Sequence, residues 1–305
     1  MRTRSSIVRT EIEEQKAPTV IELCAGAGGL ALGLSHAGFE HAAMIEREAV
    51  CCDTLRKNGF DNIIHNHVED VDFEAFRGVD MVAGGVPCQP FSNGGVDRGP
   101  LDKRDLWQQA VRAVREAQPR AFLFENVAGL LRPKFAEYLG NVLQQMRDLG
   151  YEVQVWKMNA KDYGVGQNRR RIFVVGTAAG ERVPNMPAAE ERPTLLGQVL
   201  EGIDPPTGCD LKFTTACPGH SGSVLTKPAK TLIAGAHGPG QGNNALRLSD
   251  GRLRHFSIRE AAAVQSFPLD YWFCGSWTRK MQQIGNAVPP RLSALVSGAL
   301  REALG

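Results

Sequence analysis

Short apolar runs alternate along the first half of the chain with stretches whose apolar positions recur at helical spacing. A β-favouring run at 19–23 leads into the glycine turn CAGAGG, after which residues 30–37 carry a helical period. A second strand is expected at 42–45, a helix at 48–58, a short third strand at 63–67, and a fourth at 80–83 that ends in GGVPCQP. Leu106, Ala110, Val111 and Val114 mark one face of a helix. The run AFLFE at 121–125, a helix at 135–148 and strands at 151–158 and 171–176 complete the series. Strands alternating with helices predict an α/β fold, a doubly wound, mostly parallel sheet with helices on both faces.

After Thr177 the texture changes. Residues 178–256 are rich in Gly, Pro and Thr, and contain GAHGPGQGNN followed by the hairpin signal LSDGRL. They are expected to form a smaller, irregular, β-rich domain. Helical character returns from Ser257 (IREAAAVQSF), and a helix is expected at 290–304. Residues 1–17 read as a flexible N-terminal segment. No internal repeat or low-complexity tract appears.

Of the 305 residues 43% are hydrophobic and 22% charged, a balance that excludes disorder, collagen-like repeats and a coiled coil. No 18 consecutive apolar residues occur, so no membrane span is expected, and the first residues lack a signal-peptide core, so the expected compartment is the cytoplasm. Seven cysteines without paired spacing argue against a disulfide scaffold. The net charge of +2 conceals an asymmetry: residues 1–160 carry 18 Lys/Arg against 22 Asp/Glu, and residues 161–305 carry 17 against 11. The basic half holds Arg169-Arg170-Arg171 and the group Arg247, Arg252, Arg254 and Arg259. By themselves these clusters fit a solvated surface as well as an anionic partner.

Two segments carry chemistry. In ELCAGAGGLALGL a glycine turn sits between a strand and a helix, where a ligand's approach leaves no room for a Cβ. Such a turn is either structural or nucleotide-binding. Glu46, 20 residues beyond Gly26 at the end of the second strand, favours binding, because an acid there can take ribose hydroxyls. There is no Walker lysine, and a dinucleotide is the alternative ligand. In GGVPCQPFSNGG, Cys88 follows a strand end and is stiffened by Pro87 and Pro90. A buried cysteine acting as a small hydrophobe is the ordinary alternative, and it suits Cys24, Cys51, Cys52, Cys209, Cys217 and Cys274. It suits Cys88 poorly, because a Pro-Cys-Gln-Pro turn followed by a polar loop is not a core pattern.

GGVPCQPFSNGG, ELCAGAGG upstream, ENV at 125–127, QNRRR at 167–171 and QIGNAVPP at 283–290 together resemble the cytosine-C5 DNA methyltransferases of bacteria and phages. The resemblance spans residues 18–303, with the motifs in family order. It implies a catalytic domain of residues 18–177 plus 257–305 and a target-recognition domain of residues 178–256. It implies S-adenosyl-L-methionine as cofactor and double-stranded DNA as substrate. Cys88 would add to cytosine C6, Glu125 would hold or protonate N3, and Arg171 with Arg169 would bind O2 and steady the catalytic loop. The Val86 carbonyl, followed by Pro87, would accept from N4, and Gln167 would be a structural partner. C5 would then take the methyl group, and loss of its proton would release Cys88. The base must be flipped out of the duplex, with residues 92–101, beginning at Ser92, as the closing element.

The resemblance places the cofactor against Gly26, Ala27, Gly28, Gly29 and Leu30, with Glu46 on the ribose and Val68 and Leu106 lining the pocket. Asn286, Ala287 and Val288 would close it. Three positions depart from the commoner family pattern: Cys24 stands where an aromatic often sits, Arg47 where an apolar residue is frequent, and His67 where an aspartate meets the adenine, with Asp70 near enough to substitute. In the recognition region Thr231 would contact the DNA backbone, Gln241 would fill the space of the flipped base, and Arg252 and Arg254 would meet phosphates. Arg259-Glu260 matches a motif that packs this region. A monomer acting on DNA at the nucleoid is implied, with a restriction endonuclease of the same specificity as a possible companion and no metal. The alternatives are a tRNA cytosine-C5 methyltransferase, a catalytically silent DNA-binding relative and a dinucleotide oxidoreductase. The first lacks its Cys-Phe-Thr motif here (KFTTAC at 212–217), and the last leaves GGVPCQPFS and QNRRR unexplained.

Overall fold

The computed structural model describes residues 16–87, 106–207, 212–214, 221–234 and 242–305. Its apolar runs become seven strands: β1 (Thr19–Leu23), β2 (Glu40–Glu46), β3 (Ile63–His65), β4 (Met81–Gly85), β5 (Ala121–Val127), β6 (Tyr151–Asn159) and β7 (Arg170–Ala178). They form one sheet in the order β3-β2-β1-β4-β5-β7-β6. The first five strands are parallel, whereas β7 runs antiparallel to both β5 and β6. The reversal follows from the connection. Residues 160–169 hold only a short 3-10 turn, and without a crossover helix two consecutive strands can pair only as a hairpin.

Both faces of the sheet are covered, which is why its central strands carry apolar residues on both sides, with Glu22 the charged exception within β1. On one face α3 (Trp107–Ala117) and α4 (Ala136–Asp148) pack over Ile21, Val82, Phe122 and Val174. On the other, α1 (Gly29–His36) and α8 (Pro290–Leu304) cover Val20, Met81, Leu123 and Val175. The last helix of the chain thus packs against the first. Ser293 Oγ donates to the Leu30 carbonyl at 2.9 Å, and a Cβ on Gly33 would lie 2.2 Å from that hydroxyl. α2 (Ala49–Lys57) packs Leu55 with Ala31 and Met44.

A small antiparallel sheet, β8-β10-β9, consists of β8 (Phe213–Thr214), β9 (Ala245–Arg247) and β10 (Leu253–His255). The LSDGRL hairpin forms as expected, with Gly251 at φ +85° in its turn. A third core joins this sheet to the helices that follow: Leu232, Leu246 and Phe256 pack with residues of α5 (Leu196–Leu200), α6 (Ile258–Val264) and α7 (Trp277–Asn286). Residues 182–194 run back along the large sheet, with the Pro184 carbonyl accepting from Gln154, Glu190 N–H donating to Asp162 and Thr194 N–H to Lys161. β7 ends at Ala178, and the passage to the small sheet follows Thr194. Among the described residues no helix is long and apolar enough to cross a membrane.

Candidate active site

The carboxyl ends of β1, β2, β4 and β5 open into one cavity, the place where doubly wound sheets hold ligands. At one end the turn after β1 contributes Cys24, Gly26, Ala27, Gly29 and Leu30. Glu46 faces them from β2. Its Oε2 accepts from Gly26 N–H at 2.7 Å and its Oε1 from Glu48 N–H at 2.8 Å, while burial pushes its carboxyl up. Gly26 has φ +56°, and a Cβ there would meet nothing nearer than the Cys24 carbonyl at 3.9 Å, so its absence widens the cavity itself. An acid held by two amides beside a cradle without side chains fits a nucleoside with free hydroxyls. Burial holds the Cys24 thiol neutral, raised to about 12.

Leu106, Val68, Arg47, Asn286, Ala287 and Val288 line the same cavity. Two expected contacts do not. Gly28 has φ +82° and caps α1, and its missing Cβ makes room for Tyr271 Oη at 2.6 Å and Leu55 at 2.9 Å. It is a packing glycine. His67 is exposed, because β3 stops at His65 and a 3-10 turn at 68–70 brings Val68 inward and His67 outward. Asn66 and Glu69, rather than His67 or Asp70, complete that wall. Glu48, Cys51 and Arg279 also line the cavity and had no sequence signal beyond their neighbourhood.

At the other end lie Glu125 and Arg171. In the β5–β7 register Glu125 opposes Phe173 and Val127 opposes Arg171, so Glu125 and Arg171 are diagonal neighbours on one face. Arg171 Nε lies 2.6 Å from Glu125 Oε1, with both side chains nearly buried. The next residue, Asn126, is fully buried and donates to the Val86 carbonyl at 3.2 Å. That bond fixes Val86 and Pro87 on the cavity wall, immediately before Cys88. Cys88, Ser92 with the rest of 92–101, and Gln241 lie outside the described residues, as do Cys209 and Cys217.

Several residues expected at the substrate make hydrogen bonds or ion pairs within the protein itself. Arg169 lines the cavity but is only 1% exposed. It donates to the carbonyls of Leu232 at 3.0 Å, Gly285 at 2.8 Å and Ala287 at 3.0 Å, which makes it a positioning residue. Gln167 is structural, as expected: its Oε1 accepts from Leu232 N–H at 2.9 Å and its Nε2 donates to Gln265. Arg254 does not face solvent. At 5% exposure it pairs with Glu260 through both carboxylate oxygens, at 2.7 and 2.6 Å, while Arg259 is exposed. Removing one member of such a pair leaves a buried charge alone, so Arg254→Ala should cost about 3–5 kcal/mol, read as a lowered denaturant midpoint. Arg252 is exposed, paired with Asp250 at 2.6 Å and lying over the Phe213 ring, and Thr231 Oγ1 donates to the Asn168 carbonyl at 2.6 Å. Beside Thr231, Lys230 Nζ donates to Ser221 Oγ at 3.0 Å and Arg247 Nε to the Ser221 carbonyl at 2.8 Å, two cations converging on one neutral residue.

Comparison with known proteins agrees with this geometry. The C-5 cytosine-specific DNA methylase family model matches residues 18–201 and 218–301. The chain is 36% identical to the type II methyltransferase M.NgoMIV of Neisseria gonorrhoeae, over 94% of this chain and 98% of that one. It is 34% identical to M.NaeI of Lentzea aerocolonigenes, over 93% and 75%. Its fold is similar to that of a putative DNA modification methyltransferase from an Escherichia coli prophage (TM-score 0.72, 21% identity, 94% and 99% covered). It is also similar to that of the Dnmt2 methyltransferase of S. pombe (TM-score 0.74, 19% identity, 94% and 98% covered). The chain belongs to the C-5 cytosine-specific DNA methylase family and is an S-adenosylmethionine-dependent DNA (cytosine-5-)-methyltransferase.

Proposed function

We propose that this chain methylates a cytosine flipped from a specific duplex sequence, with Cys88 as nucleophile and Glu125 and Arg171 as its partners on the base. The observation that carries the reading is the Glu125–Arg171 pair, set beside Val86–Pro87 in the cavity that also holds the Glu46 turn. The Cys88 sulfur forms a bond to C6, and Glu125 supports the charge that develops at N3. Arg171 faces O2 and keeps Glu125 oriented. The Val86 carbonyl, already accepting from Asn126, has a second lone pair for the N4 amine, which distinguishes cytosine from thymine. S-adenosylmethionine would be held by Gly26, Gly29, Glu46 and the 286–288 turn and would supply an electrophilic methyl for C5, leaving as S-adenosylhomocysteine. Transfer of the C5 proton to water then re-forms the C5–C6 double bond and breaks the C6–S bond, releasing Cys88 as the thiolate.

The catalytic unit is the large sheet with α6 to α8, and the small sheet with its flanking segments is the recognition unit. The type II names of the relatives support a companion restriction endonuclease, and the chain works as a monomer in the cytoplasm. Transfer of labelled methyl to duplex DNA, with none to tRNA, is the expected result. Labelling of tRNA alone overturns the reading. Lys230 and Arg247 are the phosphate contacts that replace the expected Arg254. Lys230→Met should lower the slope of log affinity against log salt by about 0.9, the loss of one phosphate contact, and a titration series checks it.

A further inference from the structure

We infer that Asn244 is a positioning residue that couples recognition of the duplex to binding of the cofactor; the inference rests on the DNA-methylation reading above. Asn244 is 2% exposed and lies outside the active-site cavity. Its side-chain amide takes both backbone groups of Ile233: Oδ1 accepts from the N–H at 3.0 Å, and Nδ2 donates to the carbonyl at 2.9 Å. One side chain thus replaces a neighbouring strand. It also ties together the two ends of the glycine-rich stretch that follows Thr231-Leu232. Only a short amide offers a donor and an acceptor at this reach.

The clamped residue bears directly on the cofactor wall. A Cβ on Gly285 of α7 would lie 2.5 Å from the Ile233 carbonyl carbon and 2.6 Å from Ala234 N, so helix backbone and recognition backbone are in contact. Arg169 bolts the same seam, joining the Leu232 carbonyl to those of Gly285 and Ala287. The turn continues into Val288, whose carbonyl would lie 2.2 Å from a Cβ on Gly29 in the cofactor turn. From Ile233 to Gly29 the contacts are backbone on backbone or through a buried guanidinium. A close-packed seam without a compressible side chain transmits a displacement instead of absorbing it. DNA acting on residues 231–234 and cofactor acting on the 286–288 turn therefore bias one element, and linkage makes their effects on each other's affinity equal.

The test measures affinity for a duplex that the wild-type enzyme methylates, with and without S-adenosylhomocysteine, and affinity for S-adenosylhomocysteine with and without that duplex. The wild type should show the same enhancement in both directions, about fivefold or more. Asn244→Ala should reduce it to less than about twofold while leaving S-adenosylhomocysteine affinity of the DNA-free enzyme unchanged. Asn244→Asp keeps the acceptor for Ile233 N–H and should fall between the two. Equal DNA affinity with and without the nucleoside in the wild type overturns the inference. So does a variant that weakens DNA binding by the same factor in both conditions, the signature of a purely structural role. If Asn244→Ala does not fold, an Asn244→Asp enzyme with undiminished coupling overturns it. A wild-type enzyme that methylates no duplex would instead fail the functional reading itself.

Discussion

Cys88→Ala should reduce methyl transfer by more than about 10⁴-fold while duplex binding stays close to wild type. Addition at C6 is what turns C5 into a nucleophile, and alanine has nothing to add. Among the described residues the thiols on the cavity wall are Cys24 and Cys51, and neither can replace it. Burial keeps Cys24 and Cys51 protonated, and the thiolate is the reactive form. Loss of a covalent nucleophile removes the pathway, so the effect belongs with the largest seen for single residues. Initial rates with labelled cofactor measure it. A duplex with 5-fluorocytosine at the target gives the complementary result: fluorine cannot leave as a proton does, so the wild-type enzyme should be trapped as a denaturation-resistant adduct. Cys88→Ala should give none. An adduct that survives the substitution would assign the nucleophile elsewhere.

The second large effect is expected at Glu125. Glu125→Gln preserves shape but removes both the charge opposite Arg171 and the capacity to hold a proton at N3. General acid–base contributions of this kind are worth about 10²–10⁴ in rate. The loss should appear in kcat with duplex DNA, and affinity for S-adenosylhomocysteine should not change, because Glu125 sits at the opposite end of the cavity from Glu46. A kcat within threefold of wild type would remove Glu125 from the mechanism. A selective loss of nucleoside affinity would place it in the cofactor site.

Much of this arrangement is legible in the amino-acid sequence, and the exceptions have physical causes. The helix Pro290–Leu304 is found where its apolar period and leading proline put it. Strand direction was harder, because β7 is as apolar as its parallel neighbours, and only the short 160–169 connection signals the reversal. α7 was missed, since WTRKMQQIGN is mostly polar, although Trp277, Met281 and Ile284 at helical spacing after the Ser276 cap were a usable signal. The arginines show where composition fails. Arg252 and Arg254 look equivalent along the chain, yet Arg254 faces inward because both sides of β10 are covered, and Glu260 awaits it there. His67 was misplaced because β3 ends two residues earlier than its apolar run suggested. The Glu125–Arg171 pair was anticipated as two roles on the base. That the two side chains meet before any base arrives is a property of the β5–β7 register.

The packing of Val288 over Gly29 also sets a timetable. Synthesis delivers the glycine turn about 260 residues before the segment that closes over it. At about 5–20 residues per second the interval lasts on the order of tens of seconds. Throughout it the growing chain has the glycine turn but not the wall that closes over it. A chain that has not yet reached Val288 lacks that wall and should not hold the nucleoside. The nucleoside site is thus assembled from segments made far apart in time, and it forms only when α8 docks on α1.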